Sequence, residues 1–592
     1  MMLRPSQPLP TTRPPTLATT MSTTILRRPL AEFAELPVSP LLQRIYATRG
    51  VRSVEDLDRR LSALPAPATL KGLGAALQLL EDALRQRWRI AIVADLDADG
   101  ATSCALAVRA LRALGAAEVR YVVPNRFVHG YGLTPEIVAV AARERPELLI
   151  TVDNGISSHE GVRAAQALGM RVLITDHHLP GPTLPAADAL VNPNQPGDDF
   201  PCKQLAGVGV IFYVLSALRT RLRDTGWFAD RGLAEPVMAE FLDLVAVGTV
   251  ADVVPLAHAN RVLVEQGLRR IRQGRCVPGI TALFAVAGRV LARATAGDAA
   301  FAIGPRLNAA GRLADMSLSI DCLLSDDPAR ALELAGELDR LNRERRVIET
   351  DMRAQALDHL ERWPLTDREL PFGLCLFDPG WHQGVVGIVA GRIRERTHRP
   401  VIAFAPDNIE GLLRGSARSV PGLHIRDALA TVDARHPGLI GRFGGHAAAA
   451  GLSLPAAHLT DFRTAFDAAV RDRLRPEDLN GCLWSDGELD PAELSLETAE
   501  QLREGGPWGQ GFPAPLFDGV FEVLSHRIMK EQHLKLWLRP LGGERRLEAV
   551  AFHRAGDFAP GVTRVRVAYQ LDANEWRGEC RLQLRVEHLE AV

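Results

Sequence analysis

Three aspartates stand at alternate positions after a short apolar segment, residues 90–94. Asp95, Asp97 and Asp99 are so close along the chain that their charges repel one another unless a cation lies among them. A divalent metal ion would supply that cation. A solvated acidic turn after a buried strand would need none, and these residues alone leave both interpretations open.

Acids and imidazoles also follow later apolar segments. They are Asp153, Asp176, His177, His178 and Asp252. Asp252 lies between an alanine and a valine, which is an unlikely setting for a solvated acid. A buried acid needs a partner, and a metal ion supplies one. This recurrence favours the metal-site interpretation of the first three aspartates.

The candidate metal ligands are four carboxylates and two imidazoles: Asp97, Asp99, Asp153, His177, His178 and Asp252. Carboxylates favour magnesium, imidazoles shift the preference towards manganese, iron or zinc, and the lack of cysteine argues against structural zinc. So many ligands suit two ions ~3.5–4 Å apart, a centre that promotes phosphoryl transfer by stabilising the attacking and leaving oxygens. Asp95 and Asp176 are predicted to lie behind the ligands and orient them.

The elements that must position these residues alternate between strands and helices. Strands are predicted at residues 90–94, 119–123, 148–152, 172–175 and 189–191, and helices at 101–114, 135–145 and 159–168. This alternation predicts a parallel, doubly wound sheet. Because the candidate ligands follow the strands, they should meet at the carboxyl edge of the sheet, where open α/β folds bind their ligands.

The length and composition of the chain limit the classes of protein to which it can belong. The chain has 592 residues, which at ~150 residues per domain predicts three or four domains. A formal net charge of -2 means that any nucleic-acid surface must be local. Seven scattered cysteines indicate a reducing compartment, and no apolar run reaches the ~18–20 residues of a membrane span. We therefore expect a cytoplasmic protein.

The predicted domains are a disordered tail (1–28, with Met21 as an alternative start), an α/β catalytic domain with a helical lead-in (29–326), a long connector helix (327–363), a second α/β domain (364–475) and a β-barrel of period-two strands (476–592). The barrel is expected to be antiparallel. Its alternating basic residues suit single-stranded nucleic acid, with Trp537 or Phe552 as a stacking platform unless both lie in the barrel core.

The motifs of the chain resemble those of the DHH phosphoesterases. They are DLDADGATS, VDNGIS, the triplet Asp176-His177-His178 and GTVADVVPL. PNRFVHGYG, GPRLNAAGRL and GRFGGHAAAAG are further similar to the RecJ family of bacterial single-strand-specific exonucleases. The resemblance runs from about residue 89 to the C-terminus. One departure is Leu96, where the family pattern has tyrosine.

This resemblance implies a DHH catalytic domain joined by the long helix to a DHHA1-type domain, with a C-terminal OB-fold that guides single-stranded DNA. It implies hydrolysis from a 5′ end that releases mononucleotides, with two manganese or magnesium ions, in DNA repair and recombination. It assigns the six candidate ligands to the metals. It also implies a RecQ-type helicase and a single-strand DNA-binding protein as partners, and a monomer.

The resemblance further implies a set of substrate-binding residues. They are Arg126, Tyr131, Arg306, Asn308, Arg312, Ser416, Arg418, Gly444, Gly445 and His446. Arg306, Ser416 and Arg418 would hold the 5′-terminal phosphate. The alternative is a DHH phosphodiesterase of short oligonucleotides or cyclic dinucleotides, against which the additional barrel argues. A non-catalytic scaffold is disfavoured because every ligand position is intact.

Overall fold

The computed structural model describes residues 23–29, 35–125, 132–361, 370–559, 561–576 and 579–592. The chain divides into two compact units. One comprises Arg27–Arg345 and Trp484–Val592, and the other comprises Arg346–Leu483 with the N-terminal residues up to Leu26. Within the described ranges, none of the helices has the length and apolar character needed to cross a membrane.

The N-terminal region contains a strand that the sequence did not predict. Strand β1 (Thr23–Arg27) pairs with a later strand, Gly481–Ser485, so the predicted disordered tail does not extend through residue 27. Residues 1–22 lie outside the described residues. The helical lead-in follows as α1 (Pro40–Ala47) and α2 (Leu73–Arg85).

A five-stranded parallel sheet follows, as predicted. Its strands are β2 (Arg89–Ala94), β3 (Glu118–Val122), β4 (Leu148–Val152), β5 (Arg171–Thr175) and β6 (Ala189–Val191), in the order β3-β2-β4-β5-β6. The associated helices are α3 (Ala98–Ala113), α4 (Pro135–Ala141), α5 (His159–Ala167) and α6 (Gly207–Asp224). Every residue of β4 is buried, which is why all of its residues except Thr151 are apolar.

A group of helices completes this part of the first unit. They are α7 (Trp227–Arg231), α8 (Leu242–Ala251), α9 (His258–Arg272), α10 (Pro278–Val286), α11 (Ala296–Asp298), α12 (Gly304–Leu313) and α13 (Ser317–Leu324). A π-helical turn, Ala299–Ile303, lies between α11 and α12. Helix α8 is buried from Leu242 to Val250 and carries Asp252 just beyond its end.

The predicted connector is present as α14 (Pro328–Glu361), a single helix of 34 residues. At ~1.5 Å per residue, it is roughly 50 Å long. The division between the two units falls between Arg345 and Arg346, within this helix. The boundaries predicted for the individual domains stay predictions.

The second unit is the predicted second α/β domain. Its elements are β7 (Leu374–Phe377), α15 (Val386–Thr397), β8 (Val401–Pro406), β9 (Leu412–Arg418), α16 (Ile425–Arg435), β10 (Arg442–Gly445), β11 (Ala449–Pro455), α17 (Leu459–Arg471) and β12 (Gly481–Ser485). The sheet order is β10-β11-β9-β8-β7, with only β7 and β8 parallel. Phe404, Phe462 and Phe466 are fully buried in its core.

The C-terminal region forms the predicted closed barrel. Helix α18 (Leu496–Glu504) precedes β13 (Phe517–Met529), β14 (His533–Pro540), β15 (Leu547–Ala551), β16 (Arg564–Trp576) and β17 (Glu579–Ala591). The barrel order is β13-β14-β15-β17-β16, and β15 pairs with β17 in parallel, so the expectation of a purely antiparallel barrel is wrong at this pair. Phe552 is 53% exposed and Trp537 is half-buried, so neither ring lies in the barrel core.

Candidate metal centre

The carboxyl edge of the parallel sheet brings the predicted residues to one level. The final residues of β2, β4, β5 and β6 are aligned across the sheet, with Ala94 opposite Val152, Val152 opposite Thr175 and Thr175 opposite Val191. The polar residues that follow immediately are Asp95, Asp153, Asp176 and Asn192. Strand pairing therefore assembles residues that are far apart in the sequence.

The acidic loop after β2 is fixed by hydrogen bonds to backbone amides. Asp97 caps α3, and its Oδ1 accepts hydrogen bonds from the amides of Asp99 (2.9 Å) and Gly100 (3.1 Å). Both oxygens of the buried Asp99 accept hydrogen bonds at the first turn of α6, from Gly207 N (2.6 Å) and Val208 N (2.9 Å). Asp99 thus ties α3 to α6.

Asp176 holds the histidine pair. Its Oδ1 accepts hydrogen bonds from the amides of His177 (2.7 Å) and His178 (3.1 Å) and lies 2.7 Å from His178 Nδ1. Its Oδ2 accepts a hydrogen bond from Ile156 N at 2.8 Å. With Nδ1 facing Asp176, His178 can offer Nε2 to an ion. This is the arrangement expected of an acid that orients a ligand.

His177 connects two further acids. Its Nε2 lies 3.2 Å from Asp153 Oδ1 and 3.5 Å from Asp252 Oδ2. Asp153 has a φ of +63°, in the left-handed region that few residues other than glycine adopt, although aspartate is among the more frequent of them. Residues in this region cluster at active sites and ligand-binding sites.

Three overlapping groups of side chains have ligand atoms within 4.8 Å of one another. They are Asp153–His177–His178, Asp99–His177–Asp252 and Asp95–Asp97–Asp153. The six predicted ligands therefore come together, and Asp95 joins them. Because Asp153 and His177 each belong to two groups, the arrangement suits neighbouring ions rather than one isolated ion.

The electrostatics of this cluster are those of crowded carboxylates. Burial, together with Asp99 and Asp97, raises the pKa of Asp153 well above its usual value, and the same causes raise that of Asp252. Burial and Asp97 raise the pKa of Asp99 to about 7. Burial would lower the pKa of His178, but Asp176 and nearby acids raise it to about 9. A cation among these groups would relieve the repulsion.

The donor atoms fit a divalent metal ion. Oxygen donors with some imidazole nitrogen suit magnesium or manganese. Asp153 Oδ1 is buried and makes no hydrogen bond within the described part of the chain, although His177 Nε2 is nearby. A buried carboxylate oxygen without a hydrogen bond is costly, and a metal ion would satisfy it.

Small residues let the surrounding backbone approach the acids. A Cβ at Gly207 would lie 2.5 Å from Asp153 Oδ1, and one at Gly248 would lie 2.2 Å from Thr102 Oγ1 and 2.9 Å from Asp99 Oδ1. Because these two positions carry no Cβ, α6 and α8 can pack directly against the acidic cluster.

Comparison with protein-family models identifies each part of the fold. The model of the DHH family N-terminal domain matches residues 89–249, that of the DHHA1 domain matches 371–472, and that of the RecJ OB domain matches 485–588. The chain is 55% identical to the single-stranded-DNA-specific exonuclease RecJ of Dickeya dadantii over 96% of this chain and 99% of that one. The chain belongs to the RecJ family. The RecJ of Escherichia coli is 52% identical over 95% and 98% of the two chains.

Solved structures of the RecJ family share the fold. A crystal structure of RecJ from Thermus thermophilus in complex with Mn²⁺ has a TM-score of 0.76 and 35% identity, covering 94% of this chain and 76% of that one. A second structure of that RecJ, in complex with Mg²⁺, has a TM-score of 0.71 and 34% identity, covering 94% and 75% of the two chains. The resemblance predicted from the motifs is therefore confirmed.

The residues expected to hold a phosphate in this RecJ family chain include a pair on β9. Arg418 Nη1 donates to Ser416 Oγ (3.0 Å) and to the carbonyl of Ala417 (2.8 Å). Burial and the neighbouring Arg394 lower the pKa of Arg418. A largely buried guanidinium beside a second cation is a favourable site for an anion.

The other predicted substrate-binding residues lie on several different elements. Arg306 is buried and ion-paired with Asp339 of α14, with Nε 3.0 Å and Nη2 2.8 Å from Asp339 Oδ1. Arg312 is in the last turn of α12, Gly444 and Gly445 are the last two residues of β10, and His446 directly follows that strand. Arg126 and Tyr131 lie outside the described residues.

Two supporting residues received no role from sequence reasoning. Asn192 Nδ2 donates to the carbonyl of His178 (2.9 Å), and Asn194 Nδ2 donates to the carbonyl of His177 (2.6 Å). They fix the backbone of the histidine pair from the neighbouring strand end. The available signal was their place directly after a strand in VNPNQPG.

Proposed function

We propose that the protein is a metal-dependent exonuclease that degrades single-stranded DNA from the 5′ end and releases mononucleotides. The observation that carries this proposal is the set of three overlapping carboxylate and imidazole groups at the carboxyl edge of the sheet. Membership of the RecJ family supports single-stranded DNA as the substrate. DNA repair and recombination are the processes that would use such an activity.

Two divalent ions, Mn²⁺ or Mg²⁺, would be held by the acids and histidines of the cluster. The proposed ligands are Asp97, Asp99, Asp153, His177, His178 and Asp252, with Asp95 within reach of the same ions. When bound, such ions stabilise negative charge on the phosphodiester oxygens and lower the pKa of water. The RecJ of T. thermophilus, solved once with Mn²⁺ and once with Mg²⁺, supports the choice.

The chain's own residues would prepare the site. Asp176 fixes the ring of His178, while Asn192 and Asn194 fix the backbone of the pair. Such outer contacts typically contribute 10–100-fold to metal affinity or activity. Because Oδ1 of Asp97 accepts the two hydrogen bonds that cap α3, Oδ2 is the oxygen of this residue that would bind an ion.

Binding of the DNA phosphates is assigned first to Ser416 and Arg418. Arg306 is held by an ion pair with Asp339, a carboxylate that it shares with Arg343, so we rank it after Arg418 as a partner of the terminal phosphate. Arg126, Tyr131, Asn308, Arg312 and the Gly444–His446 segment complete the proposed set of substrate contacts. The domain boundaries at 326/327, 363/364 and 475/476 are proposed with it, whereas the boundary predicted at 28/29 is not, because strand β1 occupies residues 23–27.

The biological setting follows from the same proposal. A RecQ-type helicase would supply the single strand, and a single-strand DNA-binding protein would keep it unpaired. We further propose that the protein acts as a monomer in the cytoplasm.

The proposal is tested by digestion of 5′- and 3′-labelled single strands with Mn²⁺, Mg²⁺ or a chelator. Early release of labelled mononucleotide from the 5′-labelled strand alone, in metal but not in chelator, is expected. Early release from the 3′ label would contradict the direction. A dinucleotide substrate tests the alternative, because cleavage of the dinucleotide without cleavage of the long strand would favour a short-oligonucleotide phosphodiesterase.

A further inference from the structure

Large apolar side chains are exposed in the part of the chain that carries the candidate metal ligands. Among the described residues from 89 to 326, Phe301 (79% exposed) and Val253 (61% exposed) are the most exposed large apolar side chains. Val253 directly follows Asp252, and a third exposed residue, Leu179, directly follows His178. Binding of metal ions and phosphate accounts for the charged ligands, but it does not account for these exposed apolar side chains.

Phe301 lies in a distorted helix that packs against α8, the helix that Asp252 follows. It lies in the π-helical turn Ala299–Ile303, a type of turn that is frequent at functional sites. Ala302 and Ile303 are buried, so the turn is anchored while the ring of Phe301 faces solvent. The next residue, Gly304, packs on α8, because a Cβ there would lie 3.0 Å from the Cβ of Ala251, which precedes Asp252.

Val253 is held in a strained conformation at the same place. Its φ is +62°, which is a genuine outlier for a β-branched residue. Strain of this kind persists where the surrounding structure enforces it, and it concentrates at ligand-binding sites. Here the strain accompanies the turn that carries Asp252 and leaves an apolar side chain in solvent.

We propose that Phe301, with Val253 and Leu179, forms an apolar rim that binds an unpaired nucleobase of the DNA strand, with the Phe301 ring stacked on the base. This inference rests on the proposed nuclease function. The metal ligands suit the phosphate, whereas a flat aromatic ring and two aliphatic side chains suit a base. A base inside a duplex is stacked on both faces, so the rim favours single strands.

The test compares Phe301→Ala with Phe301→Trp on a 5′-phosphorylated single strand, with saturating Mn²⁺. Stacking on one base predicts a KM about tenfold higher in F301A, a nearly unchanged kcat, and recovery of KM in F301W. Leu168→Ala is the matched control, because Leu168 is also exposed but lies at the end of α5, before the start of β5. Its KM should match that of the unsubstituted protein.

A second substrate separates stacking from a structural role. On a strand whose 5′-terminal nucleotides are abasic, F301A and the unsubstituted protein should have equal kcat/KM. An equal loss on abasic and normal strands, or an unchanged KM of F301A on the normal strand, would overturn the inference. If the unsubstituted protein does not degrade single strands at all, the proposed function fails, and that failure is distinct from failure of the rim.

Discussion

The side chain of Asn308 binds the backbone of the acidic loop: its Oδ1 accepts a hydrogen bond from Ala98 N at 2.8 Å. Ala98 lies between Asp97 and Asp99, so α12 reaches the loop that carries the candidate ligands. One turn later, a Cβ at Gly311 would lie 2.3 Å from the carbonyl oxygen of Leu96. Helix α12 therefore supports this loop directly, in addition to any contact that Asn308 makes with DNA.

Replacing Gly311 with alanine should displace the acidic loop. The added methyl group meets a backbone oxygen, which cannot move aside as a flexible side chain could. Misplacement of catalytic groups by about 1 Å can cost ~100-fold in rate. We expect kcat/KM on single-stranded DNA to fall by about that factor and Mn²⁺ affinity, measured by calorimetry, to fall with it.

Gly336→Ala is the control for this substitution. Gly336 is also helical, and a Cβ there would meet nothing within 4 Å. This variant should keep full activity and gain slight stability, since alanine is the better helix former. If G311A binds Mn²⁺ and cleaves DNA as well as G336A does, the loop does not depend on α12.

Asp95 and Asp99 should differ in their importance for metal binding. The sequence predicts Asp99 as a ligand and Asp95 behind it; in the structure Asp99 groups with His177 and Asp252, and Asp95 groups with Asp97 and Asp153. We expect Asp99→Asn to weaken Mn²⁺ binding by more than ~100-fold, as the loss of a ligand would, and Asp95→Asn by ~10–100-fold, the range for residues that orient ligands. Calorimetric titration of both variants measures the order, and the reverse order would make Asp95 the ligand and leave Asp99, whose two oxygens accept backbone hydrogen bonds, as a residue that joins α3 to α6.

The fold was predictable where local patterning and burial agree. The strand Leu148–Val152 is apolar apart from Thr151 because it is buried on both faces, and its bounds are those that the sequence predicts. Helix α8 is apolar apart from Asp243 and Thr249, so the sequence lacks the periodicity that separates a helix from a strand. Strand β1 was missed because its partner lies near the other end of the chain.

The candidate site was predictable as a set of residues but not as a network. Residues after parallel strands must meet at one edge, so Asp153 and His177 could be placed together from the sequence. The contacts of Asp99 with α6 and of Asn308 with Ala98 depend on how distant helices pack. No local pattern in the sequence encodes that packing.

Asp518 should make the free energy of unfolding depend on pH in the acid range. Burial raises its pKa, but hydrogen bonds from Arg27, Ser485 and Arg566 outweigh this effect and lower the pKa below its ordinary value. A carboxylate whose folded pKa is depressed stabilises the fold above the unfolded pKa of ~3.9, and this contribution is lost as the pH falls through the folded pKa. Asp518→Asn should lower the free energy of unfolding at pH 7 by about 2 kcal/mol.

Urea denaturation at several pH values measures this effect. The difference between the Asp518→Asn variant and the unsubstituted protein should shrink as the pH falls below the unfolded pKa of ~3.9 and through the lower folded pKa, where the carboxylate becomes protonated. Asp557→Asn is the control, because Asp557 pairs with Arg554 at the surface and such pairs contribute little. A difference that stays constant across this pH range would show that the charge of Asp518 is not the cause.

Arg418 should select strands that carry a 5′ phosphate. Its guanidinium is oriented by Ser416 Oγ, and a Cβ at Gly387 would lie 2.8 Å from its Nη2, so the site is closely packed on one side. Loss of a hydrogen-bonded charge pair with the phosphate, at ~1.5–3 kcal/mol, should reduce kcat/KM of Arg418→Gln on 5′-phosphorylated strands by ~10–100-fold. On strands with a 5′ hydroxyl, the same variant should differ little from the unsubstituted protein.

Arg435→Gln is the control, because Arg435 pairs with Asp472 at the surface, and the activity of this variant should be unchanged on both strands. An equal loss of R418Q activity on the two strands would mean that Arg418 acts on some other part of the substrate, since only a contact with the terminal phosphate disappears with that phosphate.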